Sequence, residues 1–317
     1  MMRAITIIFL FMGMSSIAYG QQSQMYTQFM YTKLALNPAY AGNDPYTNLS
    51  LLYRDQWAGF PGAPKAVALT VNFGRISNKI GLGAHLERQT LGITEKITYS
   101  LAYAYKFLLG EGVLSMGIDA SGREYSQNYT DGRLFAIHGL NADPSIPADI
   151  IKKRLFNAGF GMYYNTRKFY VGFAIPRMIK ADIDFDKNNF FSTEVRHVFV
   201  MTGGTFVINK NLRWTPQLLF KIAENSPFSL DLNASATYQD KYSIGLTYRS
   251  GGGSGDLGES LDFITGVQLS DQLMVGFAYD VGLSKLRKIE NGSLEALVSY
   301  NFIARKLKTV IVNPRYF

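Results

Sequence analysis

The sequence contains no cysteine, which excludes disulfides, thiol nucleophiles, thiolate metal sites and a lipidated amino-terminal cysteine anchor. Histidine is scarce. His85, His138 and His197 stand at unrelated spacings, and none belongs to a His-Glu-x-x-His pattern. A hydrolase would need a serine, a histidine and an acid grouped at one rim, and no marked serine accompanies His85 or His197. Gly-Ser-Gly-Asp-Leu-Gly at 253–258 matches the dinucleotide-binding pattern by letters, but it joins two strand-like segments and lacks the helix whose N-terminus would bind phosphate. No catalytic, metal or cofactor residue is therefore assigned. Lys and Arg number 32 against 24 Asp and Glu, a net charge of +8, yet the basic residues are scattered. That distribution fits a solvated or lipid-phosphate-facing surface and speaks against a nucleic-acid partner.

Long apolar runs are also missing. Ile5 to Met14 is apolar but too short to span a bilayer as a helix, and no later stretch reaches roughly 18 apolar residues. The basic start at Met1–Arg3, this apolar run and the small residues Ala18 and Gly20 read as a secretory signal peptide, residues 1–20, cleaved to leave Gln21.

What the chain has in abundance is aromatic residues (20 Tyr and 22 Phe) and glycine (30). From about Thr47 it alternates with period two. In 97–107, Ile97, Tyr99, Leu101, Tyr103, Tyr105 and Phe107 oppose Thr98, Ser100, Ala102, Ala104 and Lys106. The same alternation recurs in 228–237, 242–249, 261–270, 273–280 and 294–302. It predicts strands at 47–55, 65–73, 80–88, 96–107, 112–121, 155–164, 168–175, 194–207, 211–221, 228–237, 241–249, 260–269, 272–280 and 292–302. Counted from the first strand, even-numbered connections are short, whereas the long ones (122–154, 176–193, 250–259, 281–291) are all odd-numbered. A soluble sandwich has no reason to sort loop lengths by parity. The fold expected is therefore all-β: a transmembrane antiparallel up-and-down β-barrel of about 14 strands, with short periplasmic turns, long extracellular loops and both termini periplasmic. Tyr53, Tyr105, Phe107, Tyr242, Tyr248, Tyr279 and Phe302 would form interfacial girdles. The opposite face, rich in Gly, Ala and Ser, would line the lumen. The expected organisation is a signal peptide (1–20), a periplasmic or lumen-plugging segment (21–46), an outer-membrane barrel (47–302) and a periplasmic tail (303–317), in which Lys308–Val312 could add a short strand.

Three blocks carry a resemblance. The first runs Gln24-Met25-Tyr26-Thr27-Gln28-Phe29-Met30, then Asn37-Pro38-Ala39-Tyr40-Ala41-Gly42; the second Arg54-Asp55-Gln56-Trp57-Ala58-Gly59-Phe60-Pro61-Gly62-Ala63-Pro64-Lys65; the last is Asn313-Pro314-Arg315-Tyr316-Phe317. Together they resemble the PorP/SprF family of the type IX secretion system in Bacteroidota. The resemblance implies a non-enzymatic outer-membrane barrel that secretes a large protein, or holds it at the surface, through the cargo's C-terminal domain. One branch of the family serves gliding adhesins. Another is linked to the translocon's periplasmic ring and to peptidoglycan-binding lipoproteins. The alternative is an outer-membrane transporter or pore for small hydrophobic or polar molecules.

The residues suggest where such work is done. Asn37, Pro38, Tyr40 and Gly42 form a rigid turn that would seat the N-terminal segment as a plug or against the rim. Trp57 and Phe60 give the first outer loop apolar area, for a partner contact or for folding inward to narrow the pore. Tyr129, Phe135 and Ile137, with Ile179, Phe185, Phe190 and Phe191, would be odd on freely solvated loops; they read as a docking surface for cargo or as a lid. Lys285, Arg287 and Lys288 suit lipopolysaccharide contact or a solvated loop tip. The targeting reading predicts that intact-mass analysis of protein purified from outer membranes finds a chain starting at Gln21; a chain still carrying Met1 would overturn it.

Overall fold

The computed structural model describes residues 25–74, 79–132, 134, 149–181, 183, 194–224, 226, 228–251 and 257–303. The expected signal peptide, the segment 304–317 with Lys308–Val312, and His138, Phe135, Ile137, Phe185, Phe190 and Phe191 lie outside them. The wall strands are β1 (Thr47–Asp55), β2 (Lys65–Phe73), β3 (Ile80–Leu91), β4 (Thr94–Leu109), β5 (Gly112–Asn128), β6 (Ile150–Asn165), β7 (Phe169–Ile175), β8 (His197–Gly204), β9 (Phe206–Asn209), β10 (Leu212–Ala223), β11 (Ser229–Tyr238), β12 (Tyr242–Arg249), β13 (Ser260–Gln268), β14 (Leu273–Gly282) and β15 (Ser293–Phe302). Each pairs antiparallel with its sequence neighbours. β8 and β9 both pair with β10 and are two halves of one wall strand interrupted at Thr205. β1 pairs with β15 over nine residue pairs, from Thr47 opposite Phe302 to Asp55 opposite Leu294. The sheet is thus a closed barrel of 14 strands with no lateral edge at membrane depth, which hydrocarbon demands because it offers no partner for an unpaired amide.

The burial pattern inverts that of a water-soluble protein. Leu101 (70% exposed), Ile118, Ile244 and Phe277 point outward, while Arg54, Asp231, Asp262 and Glu295 are buried inside. Outward aromatics gather in two tiers. Tyr53, Tyr99, Tyr248 and Tyr279 lie toward the long-loop end, and Phe107, Phe169, Trp214, Tyr242 and Phe302 toward the short-turn end. These are the interfacial girdles of a barrel whose apolar band meets lipid.

Four adjacent strands run well past the spans read from the alternation, β3 by Gln89 to Leu91. β4, β5 and β6 have 16, 17 and 16 residues, whereas roughly 9–11 suffice to cross a membrane. The segment 122–154, read as a loop, is therefore largely strand: β5 continues to Asn128 and β6 starts at Ile150. The reason is chemical. Above the membrane both faces meet water, so the apolar–polar alternation fades and charges pair across the ladder instead. Glu124 binds Arg154 Nε at 2.7 Å and Lys152 Nζ at 3.4 Å. The extra turns of β3–β6 form a ribbon standing above the rim.

Leu101 lies midway along β4. Leu101→Arg is expected to cost about 2–4 kcal/mol, and Leu109→Arg, at the strand end, about 0–1 kcal/mol. Urea titration read by heat-modifiable gel migration checks this, and equal costs would overturn the assigned membrane level.

Candidate functional site

Residues 25–46 lie inside the barrel. The chain starts near the long-loop rim and leaves at the short-turn rim, where Thr47 opens β1. A 3-10 turn (Phe29–Tyr31), a single helical turn α1 (Lys33–Leu36) and a second 3-10 turn (Pro38–Tyr40) fold it into the lumen. The parity argument puts both termini on the short-turn side. Met25, the first described residue, lies toward the long-loop end of the lumen, and the described residues end on the short-turn side with Phe302 and Ile303.

The Asn-Pro-Ala-Tyr-Ala-Gly block explains the lower half. Asn37 accepts from the Ala39 amide at 2.9 Å, capping the turn, and Pro38 suits the turn's first position. The Asn37 amide nitrogen donates to the Met162 carbonyl at 3.0 Å and the Phe173 carbonyl at 3.3 Å, hooking the turn onto β6 and β7. Tyr40 meets Tyr163 edge-on at 5.3 Å and donates to Asp44 at 3.0 Å. Gly42, with φ of 62°, turns the chain where its amide donates to Asn72 at 2.6 Å and its carbonyl accepts from Lys106. Backbone lies directly on backbone here. A Cβ on Gly81 would collide with the Ala41 carbonyl, and one on Gly117 with the Ala39 amide. The small residues of the lumen face are thus a bed for the plug. Lys33 is buried with its ammonium 3.9 Å from the centre of the Tyr170 ring.

The upper half is held by charge. Successive strands each present one lumen-facing ionised group: Lys221 (β10), Asp231 (β11), Arg249 (β12), Asp262 (β13), Asp280 (β14), Glu295 (β15) and Arg54 (β1). Lys221–Asp231 is 2.7 Å, Arg249–Asp231 3.2 Å, Arg249–Asp262 3.5 Å, Arg54–Asp280 2.7 Å and Arg54–Glu295 3.1 Å. Three cations face four carboxylates, and the plug supplies the balancing donors. The amides of Thr27 and Gln28 donate to Glu295 at 2.9 and 2.8 Å. The Thr27 hydroxyl accepts from Arg54 at 2.9 Å and donates to Asp280 at 2.8 Å. Tyr26 donates to Glu87 on the other wall.

At the mouth, Glu194 ties the loop after β7 to the wall. It pairs with Arg123 and, at 3.5 Å, with Arg177. The Asn157 side chain clasps the Ile179 backbone through bonds of 2.6 and 2.9 Å, leaving the Ile179 side chain exposed. The first outer loop is also pinned: Ala58 exchanges backbone bonds with Gly292 (2.7 Å) and Asn291 (2.9 Å), and the Gly92 amide donates to the Gly62 carbonyl at 2.9 Å. Between this loop and the β3–β6 ribbon opens a cleft of about 690 Å³ lined by Phe60, Lys65, Arg88, Glu95, Asn128 and Ile150. Phe60 is exposed there, Trp57 is half-buried in the loop, and Tyr129, half-buried just past β5, donates to Gln127 at 2.7 Å. Phe60 and the ribbon tips thus share one cleft, while Ile179 stands apart over Asn157. Among the described residues no group of three His, Asp or Glu is placed to hold a metal.

Residues 18–300 match the family described as type IX secretion system membrane protein PorP/SprF. The chain belongs to that family. A PorP/SprF chain is a membrane component of the secretion system, and this barrel is placed accordingly in the outer membrane. No curated protein matches it in sequence. Solved structures similar to it include the Ralstonia pickettii toluene transporter TbuX (10% identity, 89% of this chain and 95% of that one, TM-score 0.49). Others are the Acinetobacter baumannii outer membrane protein Omp33 (10%, 82% and 100%, 0.47) and the Pseudomonas putida toluene transporter TodX (10%, 84% and 93%, 0.47).

The sequence reading missed the belt of charges, although its signal was present: Lys221, Asp231, Arg249, Asp262, Asp280, Glu295 and Arg54 all occupy the lumen parity of their strands. Arg54→Met leaves Asp280 and Glu295 buried together without their guanidinium and is expected to cost about 3–5 kcal/mol. A urea midpoint unchanged from wild type would show that the plug amides alone suffice.

Proposed function

We propose that this barrel is a closed anchor of the type IX secretion system that binds the C-terminal domain of a secreted cargo protein at its long-loop end. The observation that carries the reading is the filled lumen: residues 25–46 occupy it from rim to rim, hooked to the wall by Asn37 and Gly42 below and by Glu295, Asp280 and Arg54 above. A solute path would require breaking buried, charge-assisted bonds, whereas the ribbon of β3–β6 and the pinned first loop offer a preformed surface above the membrane. Long loops facing outward and short turns facing the periplasm follow the general habit of such barrels. Phe60, Trp57, Tyr129 and Ile179, with Phe135, Ile137, Phe185, Phe190 and Phe191 of the same loops, are the proposed contact residues, and a gliding adhesin is one cargo of suitable size. The short-turn end would face the translocon and any peptidoglycan-binding lipoprotein.

The reading predicts two outcomes. In planar bilayers the wild-type barrel passes no porin-scale current, and deletion of 25–43 creates one; steady conductance by the wild type would favour the transporter reading. A mild-detergent pull-down from native outer membranes recovers a large secreted protein through its C-terminal domain. Recovery of periplasmic ring or peptidoglycan-binding proteins alone would move the role to the other side of the membrane.

A further inference from the structure

The ribbon above the rim has two sides, and they are finished differently. On the β3 side, the loop 56–64 closes it through the Gly92 amide and the Gly62 carbonyl, 2.9 Å apart. On the β6 side the wall pairing stops early. β7 pairs with β6 only from Phe160 opposite Ile175 to Asn165 opposite Tyr170. Beyond Ile175 the chain turns over the lumen mouth: the Met178 amide donates to the Ala158 carbonyl, and Asn157 then holds Ile179. From there to Ile150, β6 has a neighbour on the β5 side alone among the described residues.

The register identifies which backbone groups are left. The Ala158 carbonyl points away from β5, so by strand alternation those of Phe156, Arg154 and Lys152 do as well, with their amides. Among the described residues these groups have no backbone partner. The amides and carbonyls of Lys153 and Leu155 face β5. An open edge of this kind is normally covered, bulged or shortened, because it templates strand addition. This one is straight over Ile150–Phe156 and continuous with the cleft beside Phe60 through Ile150. Its outward side chains are Ile150, Lys152, Arg154 and Phe156, against a single Glu124 on the neighbouring strand.

We propose that the 150–156 edge of β6 is a docking site for an extended segment of the partner protein, which adds as a further strand and carries acidic residues where it meets Lys152 and Arg154 and an apolar one opposite Phe156. This rests on the docking function proposed above and names the element that performs it. Backbone pairing supplies binding to any extended chain, and the excess positive charge selects for acidic ones.

Proline substitution tests it, because proline removes one amide donor and adds no charge. Arg154→Pro and Lys152→Pro each delete an edge-facing donor together with a side-chain cation and leave the ladder to β5 intact, a position where strands tolerate proline. Arg154→Ala and Lys152→Ala lose the same cation, keep the amide, and are the references for them. The probe is a purified C-terminal domain of a secreted surface protein from the same cell, fused to a fluorescent reporter and bound to barrels in detergent. Each proline variant, with wild-type heat-modifiable migration, is expected to bind at least tenfold more weakly than its alanine reference, and Arg154→Glu to weaken binding further as salt falls. Undiminished binding by folded proline variants overturns the edge site while leaving docking in place. If the wild type itself binds nothing, the docking reading fails. The edge is then decided by amide exchange at 152, 154 and 156 in native outer-membrane vesicles against the purified barrel: slower exchange in the vesicles supports a strand partner, and equal exchange overturns it. Slow exchange at those amides in the purified barrel would also overturn it, by showing that the chain covers its own edge.

Discussion

Glu295 is the group on which the assembly turns. It sits on the last wall strand, pairs with Arg54 on the first, and accepts the Thr27 and Gln28 amides from the segment that precedes them both. A buried carboxylate is costly unless its lone pairs are met by charged or oriented donors. Here one residue's desolvation is offset only if the seam between β1 and β15 is closed and the plug is in place. The belt from Lys221 to Arg54 extends the same logic across neighbouring strands, with the plug adding neutral donors to Glu295 and Asp280.

The lower half of the plug is held by a different force. Pro38 and Ala39 lie backbone to backbone on Gly117, and Ala41 and Gly42 on Gly81, while the Asn37 side chain fills the space over Gly161. Close backbone approach over small residues gives dense packing and a fixed register, with Tyr40, Tyr163, Tyr170 and Lys33 filling the remaining space. Charge above and steric fit below make the N-terminal segment part of the barrel's core.

Much of this was legible in the sequence because a membrane imposes period two on every wall strand. Thr47–Asp55 and Lys65–Phe73 coincide with the spans read from alternation alone. Legibility failed where the membrane stops. In Glu124–Asn128 and Ile150–Arg154 both faces are partly exposed, so the chain reads as polar loop although it is strand. It also failed in the lumen, because alternation says which side chains point inward but not what fills the space they enclose. The Gly- and Ala-rich face suits open water and a seated peptide equally well. Only the placement of Asn37 over β6 and β7 distinguishes them.

The path of residues 25–46 has a consequence for biogenesis. The segment's partners lie on strands from both ends of the chain: Glu87 on β3, and Asp280 and Glu295 on β14 and β15. The Thr27–Glu295 bond joins residues 268 apart in sequence, so it belongs among the last contacts made. The strand that closes the cylinder against β1 is thus the same strand that holds the N-terminal segment in place.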